Sequence, residues 1–157
     1  MGITLRSLED ADLDQLHAWE SDPRAVAMAA FTRADPADRS SFDAHYARNR
    51  NDPDVTMRAV DDDHGLAGMI ASFTVAGDRE LTYWVDPARW GRGVASAALA
   101  AFLQVEPLRP LFARVAEHNV GSAAVLVRAG FVHVDSEVSH AAGLGRDVVE
   151  HVYRLDA

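Results

Sequence analysis

Apolar and polar positions alternate from Ile3 to Arg6, which predicts a short strand. Ser7-Leu8-Glu9-Asp10 then resembles a capping box with Asp in the Glu position, so a helix is expected next. Leu13, Leu16 and Trp19 share one face of that helix, which should end before Asp22-Pro23. Asp35-Pro36 reads as a cap and a first-turn proline, opening a second helix in which Phe42 and Tyr46 stand one turn apart. Val55, Met57 and Ala59 alternate as a strand. Asp61-Asp62-Asp63-His64-Gly65 carries metal-ligand types, but strand-like runs flank it and glycine ends it, which makes it a hairpin turn. A strand from Leu66 to Val75, a turn at Ala76-Gly77-Asp78 and a strand from Glu80 to Val85 follow, the last closed by Pro87.

In the second half a helix opens near Gly93 and presents Val94, Ala98 and Phe102 on one face. Leu111 to Ala116 reads as a strand after Pro110, and Val120 to Ala129 as a short helix with Gly130 as its left-handed cap. Phe131 to Val138 and Val148 to Arg154 read as two final strands joined through Gly143-Leu144-Gly145. The order β-α-α-β-β-β-α-β-α-β-β lacks strict βα alternation, which indicates one α+β domain over residues 1–157.

Composition removes several chemistries. All 15 basic residues are Arg; there is no Lys and no Cys. Disulfides, thiolate zinc sites, thiol nucleophiles, Schiff-base lysines and a P-loop lysine are therefore excluded. No apolar run is long enough to span a membrane, and the N-terminal MGITLRSLED turns acidic too early for a signal peptide, so a cytoplasmic protein without membrane contact is expected. The net charge of -9 is uneven: -8 over residues 1–78, +2 over 79–128 and -3 over 129–157. A nucleic-acid partner is not expected, since that needs a cationic face, but the middle segment suits a small anionic ligand.

The middle segment also holds the candidate chemistry. Trp90-Gly91-Arg92-Gly93-Val94-Ala95 follows a strand and opens a helix. Two glycines let the backbone curl, and the helix start offers unpaired N–H groups and the positive end of a dipole. Together they form a pyrophosphate cradle, with Arg89 and Arg92 adding charge beside it. A ligand-free glycine turn is the plainer alternative. A dinucleotide fingerprint built on Gly91, Gly93 and Glu117 is another, but five residues, Asp86 to Trp90, separate the strand from Gly91, where that fingerprint needs almost none.

Three ordered blocks resemble the GNAT superfamily of acetyl-CoA-dependent N-acyltransferases. The first is Trp90 to Ala95, similar to the acyl-CoA signature (Gln/Arg)-x-x-Gly-x-(Gly/Ala) with Trp at its first position. That departure resembles the branch of ribosomal-protein N-terminal acetyltransferases, which carries a Trp-Gly-x-Gly core. The second is Glu80-Leu81-Thr82-Tyr83-Trp84-Val85-Asp86-Pro87, similar to the fourth strand of the family. The third is Asn119-Val120-Gly121-Ser122 leading to Gly130-Phe131, similar to its Asn-x-x-Ser…Gly-Phe block.

The resemblance implies a mostly antiparallel sheet of about seven strands flanked by about four helices, with the fourth strand bulged and splayed from the fifth. It implies acetyl-CoA as co-substrate and no metal. Pantetheine would pair with backbone near Trp84, Val85 and Asp86, and an N–H near Trp84 would serve as oxyanion donor. Amides of Gly91, Arg92, Gly93, Val94, Ala95 and Ser96 would hold the pyrophosphate, Asn119 would reach the pantetheine arm, and Arg128 would approach the nucleotide phosphates. Glu80 matches a base position, with a solvated strand residue as the alternative. The tyrosine that many members use as acid is replaced by Leu126, and Ser122 is the branch's alternative acid, or else a first-turn cap.

The implied acceptor is a small-molecule or peptide amine. A free α-amine costs roughly 1 kcal/mol to deprotonate at pH 7 and a lysine amine roughly 4–5 kcal/mol, so an uncertain base favours α-amines or other weakly basic amines. The acidic first helices would wall the acceptor side and attract a cation. A non-catalytic acyl-CoA sensor on the same fold is the runner-up, motivated by the missing tyrosine. A monomer or homodimer is expected.

Overall fold

The computed structural model describes residues 2–157. Seven strands form one sheet: β1 (Thr4–Arg6), β2 (Thr56–Asp62), β3 (Gly65–Val75), β4 (Asp78–Val85), β5 (Leu111–Ala116), β6 (Val132–Ala141) and β7 (Arg146–Leu155). Their order is β1-β2-β3-β4-β5-β7-β6. Every pairing is antiparallel except β4 with β5. Five helices cover it: α1 (Leu13–Ser21), α2 (Pro23–Ala29), α3 (Arg39–Asn51), α4 (Val94–Phe102) and α5 (Val120–Arg128).

Strand alternation sorts the two faces. Ala59 of β2 and Met69 and Ala71 of β3 pack against Leu16 and Trp19 of α1 and Phe42 and Tyr46 of α3, with Trp84 beside them. The opposite parity, Val60, Ile70, Leu81, Ala113 and Val115, packs against Val94, Ala98, Leu99 and Phe102 of α4 and Leu126 of α5. Helices α1 to α3 therefore lie on one face and α4 and α5 on the other. Among the described residues no helix is long and apolar enough to cross a membrane.

Local chemistry explains most boundaries and moves others. The capping box lies two residues later than Ser7: Asp12 Oδ2 accepts from the Glu9 N–H at 2.8 Å. The Asp22-Pro23 pair ends α1 and also opens α2, where Asp22 Oδ1 accepts from the Arg24 N–H at 2.9 Å. That helix is the fifth, one more than expected. Asp35 closes a local turn onto Ala37 instead of capping a helix; Asp38 caps α3 by accepting from the Ser41 N–H at 3.2 Å. The acidic 61–65 segment is the β2–β3 hairpin turn, as expected. Gly130, at φ 101°, ends α5 with Phe131 N–H bonding the Leu126 carbonyl at 3.0 Å, the Schellman pattern.

The bulge expected in β4 is absent. Its register against β3 runs unbroken from Val75↔Asp78 to Gly68↔Val85, and the irregularities fall at Val60/Asp61 and His133/Asp135 instead. The splay is present. β4 and β5 pair only at Arg79↔Leu111, Glu80↔Phe112 and Leu81↔Ala113, and beyond Leu81 the strands part.

Candidate active site

The gap between β4 and β5 opens into a cavity of about 630 Å³. Thr82 to Val85 of β4 line one side and Arg114 to Ala116 of β5 the other. Gly68 helps to open it. A Cβ there would run into the Trp84 carbonyl oxygen, so only glycine lets β4 lean this far toward β3 where it leaves β5.

Backbone polarity at the gap follows from the ladder. Asp86 N–H bonds the Ala67 carbonyl at 2.8 Å. Bonded and non-bonded pairs alternate along an antiparallel ladder, so Val85 and Tyr83 turn their N–H and C=O groups into the gap, while Trp84 turns its own toward β3. The Val85 carbonyl is indeed met from the cleft side by Trp90 Nε1–H at 3.2 Å. The N–H groups on offer to an oxyanion thus belong to Val85 and Tyr83, the neighbours of Trp84. Trp84 itself contributes its indole to the cleft wall. The backbone N–H of Asp86 is spent on β3, and its carboxylate is spent on Arg89 at 2.6 Å and on the Ala88 N–H at 2.9 Å.

On the α4/α5 side the cleft runs to the glycine segment. Gly91 and Gly93 have φ of 78° and 80°, left-handed values that side-chain-bearing residues rarely adopt, and Gly93 caps α4. A Cβ on Gly91 would point into open space. Trp90, Gly91, Gly93, Val94, Ala95 and Ser96 line the cleft here. The curled backbone and the start of α4 fit a diphosphate. Arg128 Nη1 donates to Ser96 Oγ at 2.9 Å, which brings a guanidinium from the end of α5 to this cradle. Arg89 lines the cleft too but is held by Asp62 at 2.7 Å and Asp86 at 2.6 Å. Arg92 is exposed and lies outside the cavity wall.

Asn119 and Ser122 sit where α5 begins. Asn119 Oδ1 accepts from the Ser122 N–H at 3.2 Å, so Asn119 is the cap and Ser122 is the residue it caps. The Ser122 hydroxyl is free to face the cleft and stands 2.6 Å from the Tyr83 hydroxyl. Burial pushes the Tyr83 phenol up, with the Ser122 contact working against it. Tyr83 has no counterpart among the residues expected from sequence. It lies within the Glu80–Pro87 block, but its partner is 39 positions away.

Glu80 falls outside the cavity wall. Its carboxylate turns to Arg114 at 3.6 Å, and Arg114 also bonds Glu137 at 3.0 Å and Glu150 at 3.3 Å. Burial pushes Glu80 above its ordinary value, Arg114 opposes this and Glu150 adds to it. Of these carboxylates, Glu150 is the one that lines the cavity. The acidic wall expected from the first helices is absent: α2 and the residue after Ala30 present Ala25, Met28, Ala29 and Phe31. Glu117 of the dinucleotide alternative also lies outside the cavity wall, and among the described residues β4-α4-β5 is the single βαβ unit of an otherwise antiparallel sheet.

This geometry can be compared with known proteins. The family described as acetyltransferase (GNAT) domain matches residues 3–132. No curated protein sequence matches significantly. Among solved structures, spermidine N-acetyltransferase from Vibrio cholerae, in complex with CoA and spermine, aligns with TM-score 0.77 at 19% identity over 97% of this chain and 95% of its own. An N-acetyltransferase from Staphylococcus aureus Mu50 aligns with TM-score 0.80 at 17% identity over 99% of both chains. A domain from Methanocaldococcus jannaschii DSM 2661 aligns with TM-score 0.78 at 15% identity over 99% of both. These identities speak to the fold. The family match covers most of the chain, and the splayed cleft with its glycine cradle agrees with it: the protein belongs to the acetyltransferase (GNAT) domain family of acyltransferases.

Proposed function

We propose that residues 1–157 act as one domain that transfers the acetyl group of acetyl-CoA to a primary amine by direct attack in a ternary complex. The observation that carries this reading is the β4–β5 gap, which runs without a break from paired strands to the glycine cradle of α4. The solved relative that holds CoA on the same fold supports it. The Trp90-Gly91-Arg92-Gly93 core supports the ribosomal-protein N-terminal branch. A cytoplasmic location follows from the reading, since acetyl-CoA is supplied there.

Each residue has a role in this scheme. Amides from Gly91 to Ser96, with Arg128, Arg92 and Arg89 nearby, receive the diphosphate. The Asn119 amide NH2, left over from capping, and the edge of β4 at Tyr83 and Val85 direct the pantetheine arm. The cleft-facing N–H of Val85 or Tyr83, beside Trp84, stabilises the oxyanion. The amine nitrogen bonds the acetyl carbon and the carbon–sulfur bond breaks. The amine proton passes to the carboxylates gathered on Arg114, where Glu150 lines the cavity and Glu80, raised above its ordinary value by burial, stands behind it as the base. The departing thiolate takes a proton from the Tyr83–Ser122 hydroxyl pair, which supplies the acid that Leu126 cannot.

A thermal-shift titration with acetyl-CoA, CoA and NAD, followed by free-thiol release across a panel of amines, tests the reading. Stabilisation by acetyl-CoA and amine-dependent thiol release are expected. Stabilisation by NAD alone would sink it, and acetyl-CoA binding with no thiol release on any amine would leave a sensor.

A further inference from the structure

Strand alternation divides the cleft into two chambers. Tyr83 and Val85 of β4 face α4 and α5, on the side of the cradle. Thr82 and Trp84 face the other side, where Trp84 packs beside α1 and α3 and α2 lines the cavity. Arg114 belongs to the α2 side, because Glu80 and Phe112 are paired and Arg114 lies two residues beyond Phe112. Glu150 belongs there too, since it pairs with Ala116, two residues beyond Arg114. The second chamber therefore has walls of Ala25, Met28, Ala29, Phe31 and Trp84, and one polar corner made of Arg114 and Glu150.

The corner has a definite sign. Arg114 is the one cation in it among the described residues, and Glu80, Glu137 and Glu150 already surround it within 3.6 Å. Three carboxylates on one guanidinium leave an excess of negative charge and no cation free for an anionic group. The Glu150 side chain is 12% exposed, so its charge is poorly screened. Apart from the neutral Thr82 hydroxyl, the walls offer no second polar anchor among the described residues, and none that is charged.

We infer that the acceptor is a primary amine on an apolar body that carries neither a carboxylate beside the amine nor a second remote cation, with Glu150 as the ammonium anchor. This rests on the acetyl-transfer reading above. An ammonium gains from the corner. A neighbouring carboxylate meets like charge away from bulk water, a juxtaposition that costs several kcal/mol. A second ammonium meets the apolar wall and loses its hydration.

The test uses the full chain with acetyl-CoA and three molecules that share one body: phenethylamine, phenylalaninamide and phenylalanine, with spermidine as the polycation. Phenethylamine and phenylalaninamide should exceed phenylalanine in kcat/KM by about a hundredfold, the order set by a like-charge penalty of a few kcal/mol. They should also exceed spermidine. A peptide beginning with Phe distinguishes a chain terminus from a free amine, and turnover of either fits the inference. Glu150→Gln should raise KM for phenethylamine more than it lowers kcat, narrow the gap to phenylalanine and leave acetyl-CoA stabilisation unchanged. The series on the unmodified protein stands alone if that variant does not fold. Equal or better use of phenylalanine or spermidine, or an unaltered order in a folded Glu150→Gln protein, overturns the inference while the transfer reading survives. Absence of thiol release with every amine overturns both.

Discussion

Tyr83 and Ser122 make their contact from a strand and a helix on opposite sides of the gap. Tyr83→Phe keeps the ring and its packing and removes only the proton. A lost general acid is worth about 10²–10⁴ in rate, so kcat should fall about a hundredfold while acetyl-CoA stabilises the variant as before. Steady-state kinetics with a thermal-shift titration checks this, and loss of acetyl-CoA binding would mark Tyr83 as structural. Glu80 makes a pH prediction with the opposite proton logic. A base works ionised, so kcat falls as pH drops through its pKa, and burial sets that limb above the ordinary Glu value of about 4.3. Glu80→Gln should lower kcat at neutral pH, erase the acid limb, and approach the parent where the amine is itself unprotonated. A variant that keeps the same limb removes Glu80 from the role. The glycines and Asn119 were readable in sequence because each has a local backbone task. Tyr83, Gly68, Arg114 and Glu150 were not, because their tasks exist only across strands.

Elements show the same division between local and distant causes. Four Asp-Pro pairs look alike in sequence, at Asp22, Asp35, Asp52 and Asp86, yet only Asp22-Pro23 opens an α-helix, while Asp86-Pro87 opens a single 3-10 turn. What separates them is tertiary: α2 is held by Ala30, whose carbonyl accepts from the Gly143 N–H at 2.9 Å, and by the Ala116, Ala141 and Val148 cluster. The β6–β7 hairpin tip thus steadies the helix that walls the acceptor chamber. The closed end of the β4–β5 gap has its own clamp. Arg79, which begins the short pairing with β5, donates to Glu106 at 2.6 Å, and Ser72 donates to the same carboxylate at 2.5 Å. Glu106 is 2% exposed and Arg79 8%. Breaking a buried pair costs about 3–5 kcal/mol, so Glu106→Ala should lower Tm sharply and weaken acetyl-CoA binding, as the strands lose their fixed point of divergence. Burial works to raise the Glu106 carboxyl, but the bonds from Ser72 and Arg79 outweigh it and hold it below the ordinary range. The stability it contributes is therefore present above the unfolded Glu value of about 4.3 and lost as pH falls through its lower folded value. Acid unfolding should lose this component in the variant; an unchanged acid transition would assign the fold's acid sensitivity elsewhere.

At the scale of the whole molecule, the charge of -9 bears on two ligands of opposite sign. Much of the acid in the first half is tied up locally: Arg6 holds Asp12 and Asp61, Arg39 holds Asp14 and Asp43, and Arg50 holds Asp10. Pairing changes the near field but not the net charge seen from a distance. An approaching CoA meets long-range repulsion and then a cationic cradle, where Arg128 has no carboxylate partner among the described residues. An approaching ammonium meets attraction throughout. Screening should therefore act with opposite signs. Between about 0.01 M salt, where the Debye length is about 30 Å, and about 0.15 M, where it is about 8 Å, the amine's kcat/KM should fall. Over the same range the association rate of acetyl-CoA should rise until the cradle itself is screened. Initial rates at saturating partner concentrations, measured across this range, separate the two. A shared direction would mean that the cradle arginines, and not the net charge, govern cofactor capture. Because the chain has no lysine, its own side chains add no acetylated amine to a mass-spectrometric readout of the acceptor.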